Sequence, residues 1–310
     1  MNILMVLESD FPPDTRVENE LSALSEAGHQ MHIACYSFKK KFTIPDDLPY
    51  TIHKTYISPL KYKSSVGALK SGIYFNFWKS FLRKLFREQE FDAIHIHDLP
   101  LATVGKKLAK QHGIPFILDL HENWPVLLSL STHTKTLAGR LLSSEKQWKA
   151  YEKKSILQAD QVVVVVDEAK ERITGLGADP SRVHVVSNTI NLEHFDFPPQ
   201  KRDQNYTTLV YGGGVNYHRG LQTVIKALPY LAGKIPDLRV WIIGPGSYTG
   251  NLQALAQKLD VEKYIQFFGW MPRTDLLKKI SQAHIALIPH IKSGHTDSTI
   301  PHKLFQYMYA

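Results

Sequence analysis

Residues 207–221 read TTLVYGGGVNYHRGL, and this stretch decides the fold class. A short apolar run ends in the glycines Gly212, Gly213 and Gly214, a cation follows at Arg219, and helical spacing begins near Leu221. A strand that runs through a glycine turn into a helix opens a βα unit. Glycines let backbone N–H groups approach an anion closely, and a helix N-terminus adds partial positive charge. Arg219 can then fork onto phosphate oxygens. The same turn also serves plain chain reversal after a strand, so the stretch alone leaves both readings open.

Downstream the alternation continues with strand LRVWIIG, a helix at 251–259, strand IQFFG, a helix at 274–282 and strand HIALIP. A final helix begins near Pro301 and carries Lys303 close to its start, a second N-terminal phosphate-site pattern. Two such sites in one half suit a diphosphate. Leu304, Phe305 and Met308 recur at helical spacing, but no Gly, Asn or Pro stop follows before Ala310. This half is therefore expected to be incomplete.

Upstream, residues 193–206 (EHFDFPPQKRDQNY) are polar, contain Pro198-Pro199 and read as an interdomain linker. Before them, strands are expected at 3–7, MHIACY, DAIHIH, PFILDL, QVVVVV and RVHVVSN, with helical patterns from Val17, at 101–112 and at 136–158. The expectation is an α/β protein of two Rossmann-like parallel-sheet domains, 1–192 and 207–310, facing across a cleft.

The composition is that of a globular chain, 43% hydrophobic and 21% charged. The single cysteine, Cys35, excludes an intrachain disulfide framework and a cysteine zinc cage, which fits a reducing compartment. The N-terminus lacks a basic leader region, and no run approaches the roughly 20 apolar residues that span a bilayer. A cytoplasmic location is expected. The net charge of +8 is concentrated: Lys39 to Arg87 holds eleven Lys/Arg against Asp46 and Asp47, a local net of +9.

Ligands of open parallel sheets bind beyond the carboxyl ends of the strands. In the first half those positions carry ESDFPPDTR after strand one, HDLP with His97 and Asp98, and HENWP with His121 and Glu122. In the second they carry the glycine loop, GPGS at 244–247 and PHIKSGHTDSTIPHK at 289–303. His95 and His97 share one strand face; a metal pair and a core or loop-orienting role are the alternatives, and the latter is favoured. His97 and Asp98, at the strand end, are placed on the cleft wall ahead of His95. His290, His295 and His302 lack a fixed ligand spacing, so no metal is expected there. Asp119 either orients His121 or caps a turn, with the turn preferred. Glu122 is a candidate acid or a solvated loop residue, and Trp124 and Trp270 either stack on sugar or base or serve packing.

Several segments, in order, resemble landmarks of one family: FPPDTRVENELSALSEAGH, FDAIHIHDLP, ILDLHENWP, VVSNTINLEHF, LVYGGGVNYHRGL and STIPHKLFQYM. The chain resembles the family 4 retaining glycosyltransferases of the GT-B fold. The resemblance implies transfer of a sugar from a UDP- or GDP-linked donor held by the C-terminal domain to an acceptor on the N-terminal one, without cofactor or metal. It implies that His121 contacts the transferred sugar, that Asp14 and Arg16 of the first loop face the reaction centre, and that Gly213, Gly214, Arg219 and Lys303 hold the donor diphosphate. The chain departs from the pattern where Gly214 stands at a place many relatives give to a second basic residue. The family's paired glutamates fall at Ser298, with Asp297 beside it, and at Gln306, which can still bond a ribose. The family also continues beyond this helix, so little turnover is expected from residues 1–310 alone.

The segment KSGIYFNFWKSFLRKLFREQE sets Lys79, Arg83 and Arg87 beside a broad aromatic face. It reads either as an interfacial helix or as a crossover helix with its apolar face on the sheet, the second being favoured. The 39–87 basic region is a candidate contact for an anionic membrane, suiting a lipid-linked acceptor and a peripheral position at the inner face. No nucleic-acid module is recognised. The expected function is a glycosyltransferase of surface polysaccharide or glycoconjugate assembly acting on a glycan or lipid-linked acceptor. The alternatives are an epimerase or phosphorylase of the same fold, or a non-catalytic homologue or partner subunit.

Overall fold

Alternation along the first strand sets up the first core. From β1 (Asn2–Val6) into the next residue, Ile3, Met5 and Leu7 join one buried cluster, while Leu4 and Val6 join another. A strand buried on both faces belongs in the middle of a parallel sheet covered by helices on both sides. The computed structural model describes residues 1–310 except 46, 131–141, 193–196, 199 and 236. It shows a seven-stranded sheet ordered β3-β2-β1-β4-β5-β6-β7, with every pairing parallel. The other strands are β2 (Gln30–Ser37), β3 (Thr51–Tyr56), β4 (Ala93–His97), β5 (Phe116–Leu120), β6 (Gln161–Val164) and β7 (Val183–Val185).

Val17 and Leu21 of helix Thr15–Glu26 cover one face. Trp78, Leu82 and Leu85 of helix Ile73–Glu88 cover the other, with Val104 and Leu108 of helix Ala102–His112. Each such side chain contributes about 1.5–3 kcal/mol by leaving water. At Gly105 a Cβ would lie 2.3 Å from Ile96 Cγ1, so only glycine lets that helix lie directly on β4.

The second sheet has the order β10-β9-β8-β11, again all parallel, from β8 (Thr207–Gly212), β9 (Leu238–Ile243), β10 (Ile265–Gly269) and β11 (Ile285–Ala286). Leu209, Tyr211, Val240 and Ile242 join one of its cores; Val210, Trp241 and Ile243 join the other.

Met1–Asn188 and Asp297–Ile300 form one compact unit, Thr189–Thr296 and Pro301–Ala310 the second. Residues read as linker pack on that second unit: Phe197 joins its core, and Asp203 pairs with Arg239 at 3.2 Å. The other expected linker positions 193–196 and 199 lie outside the described residues, as do 136–141 of the expected 136–158 helix, which is described as Glu145–Gln158.

The aromatic face of helix Ile73–Glu88 is core: Tyr74, Phe75, Trp78, Leu82 and Leu85 are buried. The crossover reading of that helix holds, and the interfacial one does not. Among the elements that escaped the sequence reading are one strand and one helix of the first unit. β3 mixes His53 and Lys54 into its alternation because it is an edge strand beside β2. Helix Asp167–Gly175 opens on Asp167 and Glu168, acids that suit a helix N-terminus.

Candidate functional site

In the first sheet β1 is flanked by β2 and β4, so the strand order reverses at the β1/β4 boundary, where ligands of such sheets bind. The loops after β1, β4 and β5 meet there. Asp14 caps helix Thr15–Glu26, accepting from the backbone N–H groups of Arg16 at 3.2 Å and Val17 at 3.4 Å. Its other oxygen lies 3.4 Å from Arg16 Nη2. Asp14 is thus engaged by its own helix, a role the family resemblance did not indicate. Burial opposes the charge on Arg16, yet Asp14, Asp98 and Glu122 around it raise its pKa. The first-half residues singled out in the sequence therefore share one electrostatic neighbourhood.

The β4/β5 register sets His97 opposite Asp119. Oδ2 of Asp119 lies 3.2 Å from His95 Nε2, 3.3 Å from His97 Nδ1 and 3.2 Å from His121 Nε2. His97 Nδ1 is also 3.1 Å from His121 Nε2, and the two rings stack with centroids 5.4 Å apart. Asp119 therefore orients histidines and caps no turn. Burial raises a carboxylate's pKa, but His121, His95 and His97 together hold Asp119 well below its ordinary value. Burial dominates at His121 and keeps its pKa well below 6.5, so the imidazole is neutral at pH 7.

His97 has no exposed surface and His121 only 4%. His97, expected on a cleft wall, sits instead beneath the site, between the rings of His95 and His121. Glu20, unnoticed in the sequence, reaches 4.0 Å from His97 Nε2, and burial with the nearby Asp119 charge lifts it to about 8. Glu20, His95, His97 and Asp119 are close enough to ligate one metal ion. The contacts of Asp119 to His95 and His97 are already of hydrogen-bond length, while His97 Nε2 and Asp119 Oδ1 are buried without a hydrogen-bond partner among the described residues.

The second sheet reverses at β8/β11, and its polar constellation sits at that reversal. Gly213 takes φ +127°, and a Cβ there would lie 2.9 Å from Lys303 Nζ. Lys303, in the first turn of helix His302–Tyr309, is 8% exposed and places its ammonium 3.7 Å from the Tyr211 ring centroid. Among the described residues, neither Lys303 Nζ nor Arg219 Nε has a hydrogen-bond partner. Arg219 Nη1 is 3.3 Å from His290 Nε2. Burial and then Arg219 hold Lys303 well below its ordinary pKa and lower His290 to about 3, so His290 is a neutral acceptor. A buried Lys303 and a half-buried Arg219, each with a free N–H group and no carboxylate partner among the described residues, form a site for a compact polyanion.

One detail differs from expectation. The Gly213 N–H donates to the Ile243 carbonyl at 2.8 Å and is not offered to an anion. Asp297 is exposed, Ser298 is buried, and both belong to the first compact unit. Gln306 is half-buried on the Lys303 helix, which Tyr307 anchors by accepting the Gly212 N–H at 2.8 Å. Tyr211 and Tyr307 were missed because aromatic residues near a strand or helix end look like packing until the loops are folded together, and His290 was weighed only as a metal ligand.

The family model described as Glycosyltransferase Family 4 matches residues 14–194, and that for Glycosyl transferases group 1 matches 193–310. Over 211 residues the chain is 25% identical to a glycogen synthase of Mycobacterium tuberculosis, covering 67% of this chain and 49% of that one. Over 213 residues it is 24% identical to a D-inositol 3-phosphate glycosyltransferase of a Mycobacterium species, covering 64% and 46%. The chain thus spans about half the length of these relatives.

Among solved structures, sucrose-phosphate synthase from Thermosynechococcus elongatus superposes with a TM-score of 0.71 at 14% identity, over 93% of this chain and 75% of that one. WaaG, a glycosyltransferase involved in lipopolysaccharide biosynthesis, gives 0.66 at 15%, over 94% and 75%. HepE from Anabaena, in complex with UDP, gives 0.65 at 12%, over 99% and 78%. Both halves match the family models and the fold is that of the GT-B enzymes, so the chain belongs to the family 4, group 1 glycosyltransferases.

Proposed function

We propose that the protein transfers a sugar, with retention, from a UDP- or GDP-linked donor to a glycan or lipid-linked acceptor in surface polysaccharide or glycoconjugate assembly. The observation that carries this reading is the uncompensated pair Arg219 and Lys303 at the reversal of the second sheet. A nucleoside diphosphate supplies the negative charge that these groups lack, and the relative HepE is described with UDP bound. As the glycosidic bond breaks, charge grows on the leaving diphosphate. Fixed cations in a dry site stabilise that charge without reorganisation. No cofactor is required for this step, and the two side chains do the neutralising.

On the acceptor-side unit, the Asp119 contact favours the proton of His121 on Nε2. Nδ1, buried and without a partner among the described residues, is then an acceptor for a sugar hydroxyl. Calorimetry with nucleoside diphosphates tests the reading. Arg219→Ala removes charged hydrogen bonds of about 1.5–3 kcal/mol, a loss of roughly 10- to 150-fold in affinity. His121→Ala leaves diphosphate binding intact and lowers transfer. Undiminished binding in Arg219→Ala overturns the assignment.

A membrane contact is a further part of this reading, favoured by one observation. No described helix is long and apolar enough to cross a membrane. Phe38, Phe42, Leu60 and Tyr62 are nevertheless exposed among Lys39, Lys40, Lys41, Lys61 and Lys63, with the Phe38 and Tyr62 rings 5.0 Å apart. Apolar side chains among lysines suit an anionic lipid surface. Vesicle binding is expected to require anionic lipid and to fall with salt, since exposed charges are screened within about 8 Å at physiological ionic strength. Equal binding to neutral and anionic vesicles rejects it.

A further inference from the structure

We propose that a cavity of about 390 Å³ in the first unit, walled by Glu8, Tyr74, Asp98, Trp124 and Trp148, takes a pyranose ring that carries no anionic substituent, and that it rejects uronates and sugar phosphates. The proposal rests on the glycosyl-transfer reading and names the chemical class of its acceptor. The volume lies within the roughly 300–1,000 Å³ of small-molecule sites. The position is that of a ligand crevice. Glu8 follows β1, Asp98 follows β4 and Trp124 follows β5, so the walls descend from strand ends around the sheet's reversal.

The wall chemistry is specific. Indole and phenol faces match the apolar C–H face of a sugar ring, and carboxyl groups exchange hydrogen bonds with its hydroxyls. Trp148 is already oriented, because its Nε1–H donates to Ser143 Oγ at 2.8 Å. The Nε1–H of Trp124 is buried and has no acceptor among the described residues, so it is a donor left for a ligand. Asp98 is held at φ +63° and ψ 158°, a conformation nearly reserved for glycine that costs about 1–3 kcal/mol. Its N–H is tied to the Asp119 carbonyl at 2.8 Å, so the strain keeps this carboxyl at the wall.

Among the described wall residues only Lys63 is cationic, and it is exposed. Two acids share the interior. Burial lifts Glu8 to about 7 and Asp98 to about 8, so the cavity already resists its own negative charge. An anionic ligand brings a charge that no buried wall cation meets, since Arg16 beside Asp98 is already engaged by Asp14, whereas a neutral ring adds only hydrogen bonds.

The test is saturation-transfer NMR on the full chain with three probes: methyl hexopyranosides, methyl hexopyranosiduronates and hexose 1-phosphates. UDP and GDP binding is measured on the same samples. Neutral glycosides are expected to bind about tenfold or more tightly than either anionic class. Trp124→Ala abolishes the neutral signal, while Trp124→Phe retains part of it and reports on folding. Glu8→Gln and Asp98→Asn, which keep the shape, weaken neutral binding and narrow the discrimination. All four variants keep nucleoside diphosphate binding. Preference for the uronate or phosphate, absence of any neutral-sugar signal, or an undiminished signal in Trp124→Ala overturns the proposal. The donor-site reading stands or falls separately, on whether the wild-type chain binds a nucleoside diphosphate.

Discussion

The two units place charge at their sheet reversals in opposite ways. In the first, Asp119 is surrounded by three imidazoles and Asp14 by its own helix N-terminus and Arg16, so each carboxylate is partnered within the unit. In the second, buried Lys303 and half-buried Arg219 have unfilled N–H groups and no carboxylate partner among the described residues. A cluster centred on a partnered carboxylate orients a group for use, here His121. An unbalanced one is held in readiness at a cost in stability, which an anionic ligand removes. The orienting site is built for rigidity and the anion site for affinity.

If the first cluster is stabilising as described, Asp119→Asn should have the largest effect. It replaces a charged acceptor shared by three histidines and is expected to cost about 3 kcal/mol or more. The sign follows from linkage. Although burial opposes it, Asp119 is depressed by His121, His95 and His97, so its contribution is present above the ordinary value of 3.8 and is lost as pH falls through the lower folded value. Denaturant titrations should show the deficit of the variant shrinking below pH 3.8. A deficit unchanged down to strong acid would mean that the carboxylate charge is not what holds the cluster.

The second unit should respond with the opposite sign. Lys303 is depressed by burial and by Arg219, so below the ordinary 10.5 the unfolded chain binds the extra proton, and stability rises with pH through that window. At neutral pH the ammonium is a liability in the ligand-free protein. Lys303→Met is expected to stabilise that form by about 1–3 kcal/mol and to weaken stabilisation by UDP or GDP. A melting temperature lower than that of the wild type would show that the cation–π contact with Tyr211 outweighs desolvation.

A smaller effect separates the two kinds of charge within the first unit. Glu20 is raised to about 8, chiefly by burial and then by Asp119, so its ionisation destabilises the fold as pH climbs from 4.5 towards that value. Glu20→Gln should melt with the wild type near pH 4.5 and about 2–4 °C above it beyond pH 8. A pH-independent difference would remove Glu20 from the cluster's charge balance.

Legibility tracked the range of the determining interaction. Strands and helices emerged wherever hydrophobic period and glycine punctuation are local, as at 207–221, while β3 escaped because an edge strand carries polar residues on its open side. Arg219 and Lys303 were visible from their positions near helix starts. Glu8 was not, since an acid two residues beyond a strand reads as solvated until a cavity encloses it.

Two parallel α/β halves, the order of their polar loops and the residue types those loops carry follow from the amino-acid order, because each depends on spacing within one element. Only the tertiary structure decided what those residues are to one another. The register of β4 against β5 set His97 opposite Asp119 and so turned a suspected turn cap into the centre of three histidines. The return of the last helix laid Lys303 over Tyr211, far upstream in the chain, and removed it from water. Register and desolvation are properties of distant segments brought together, and no window of sequence contains both partners.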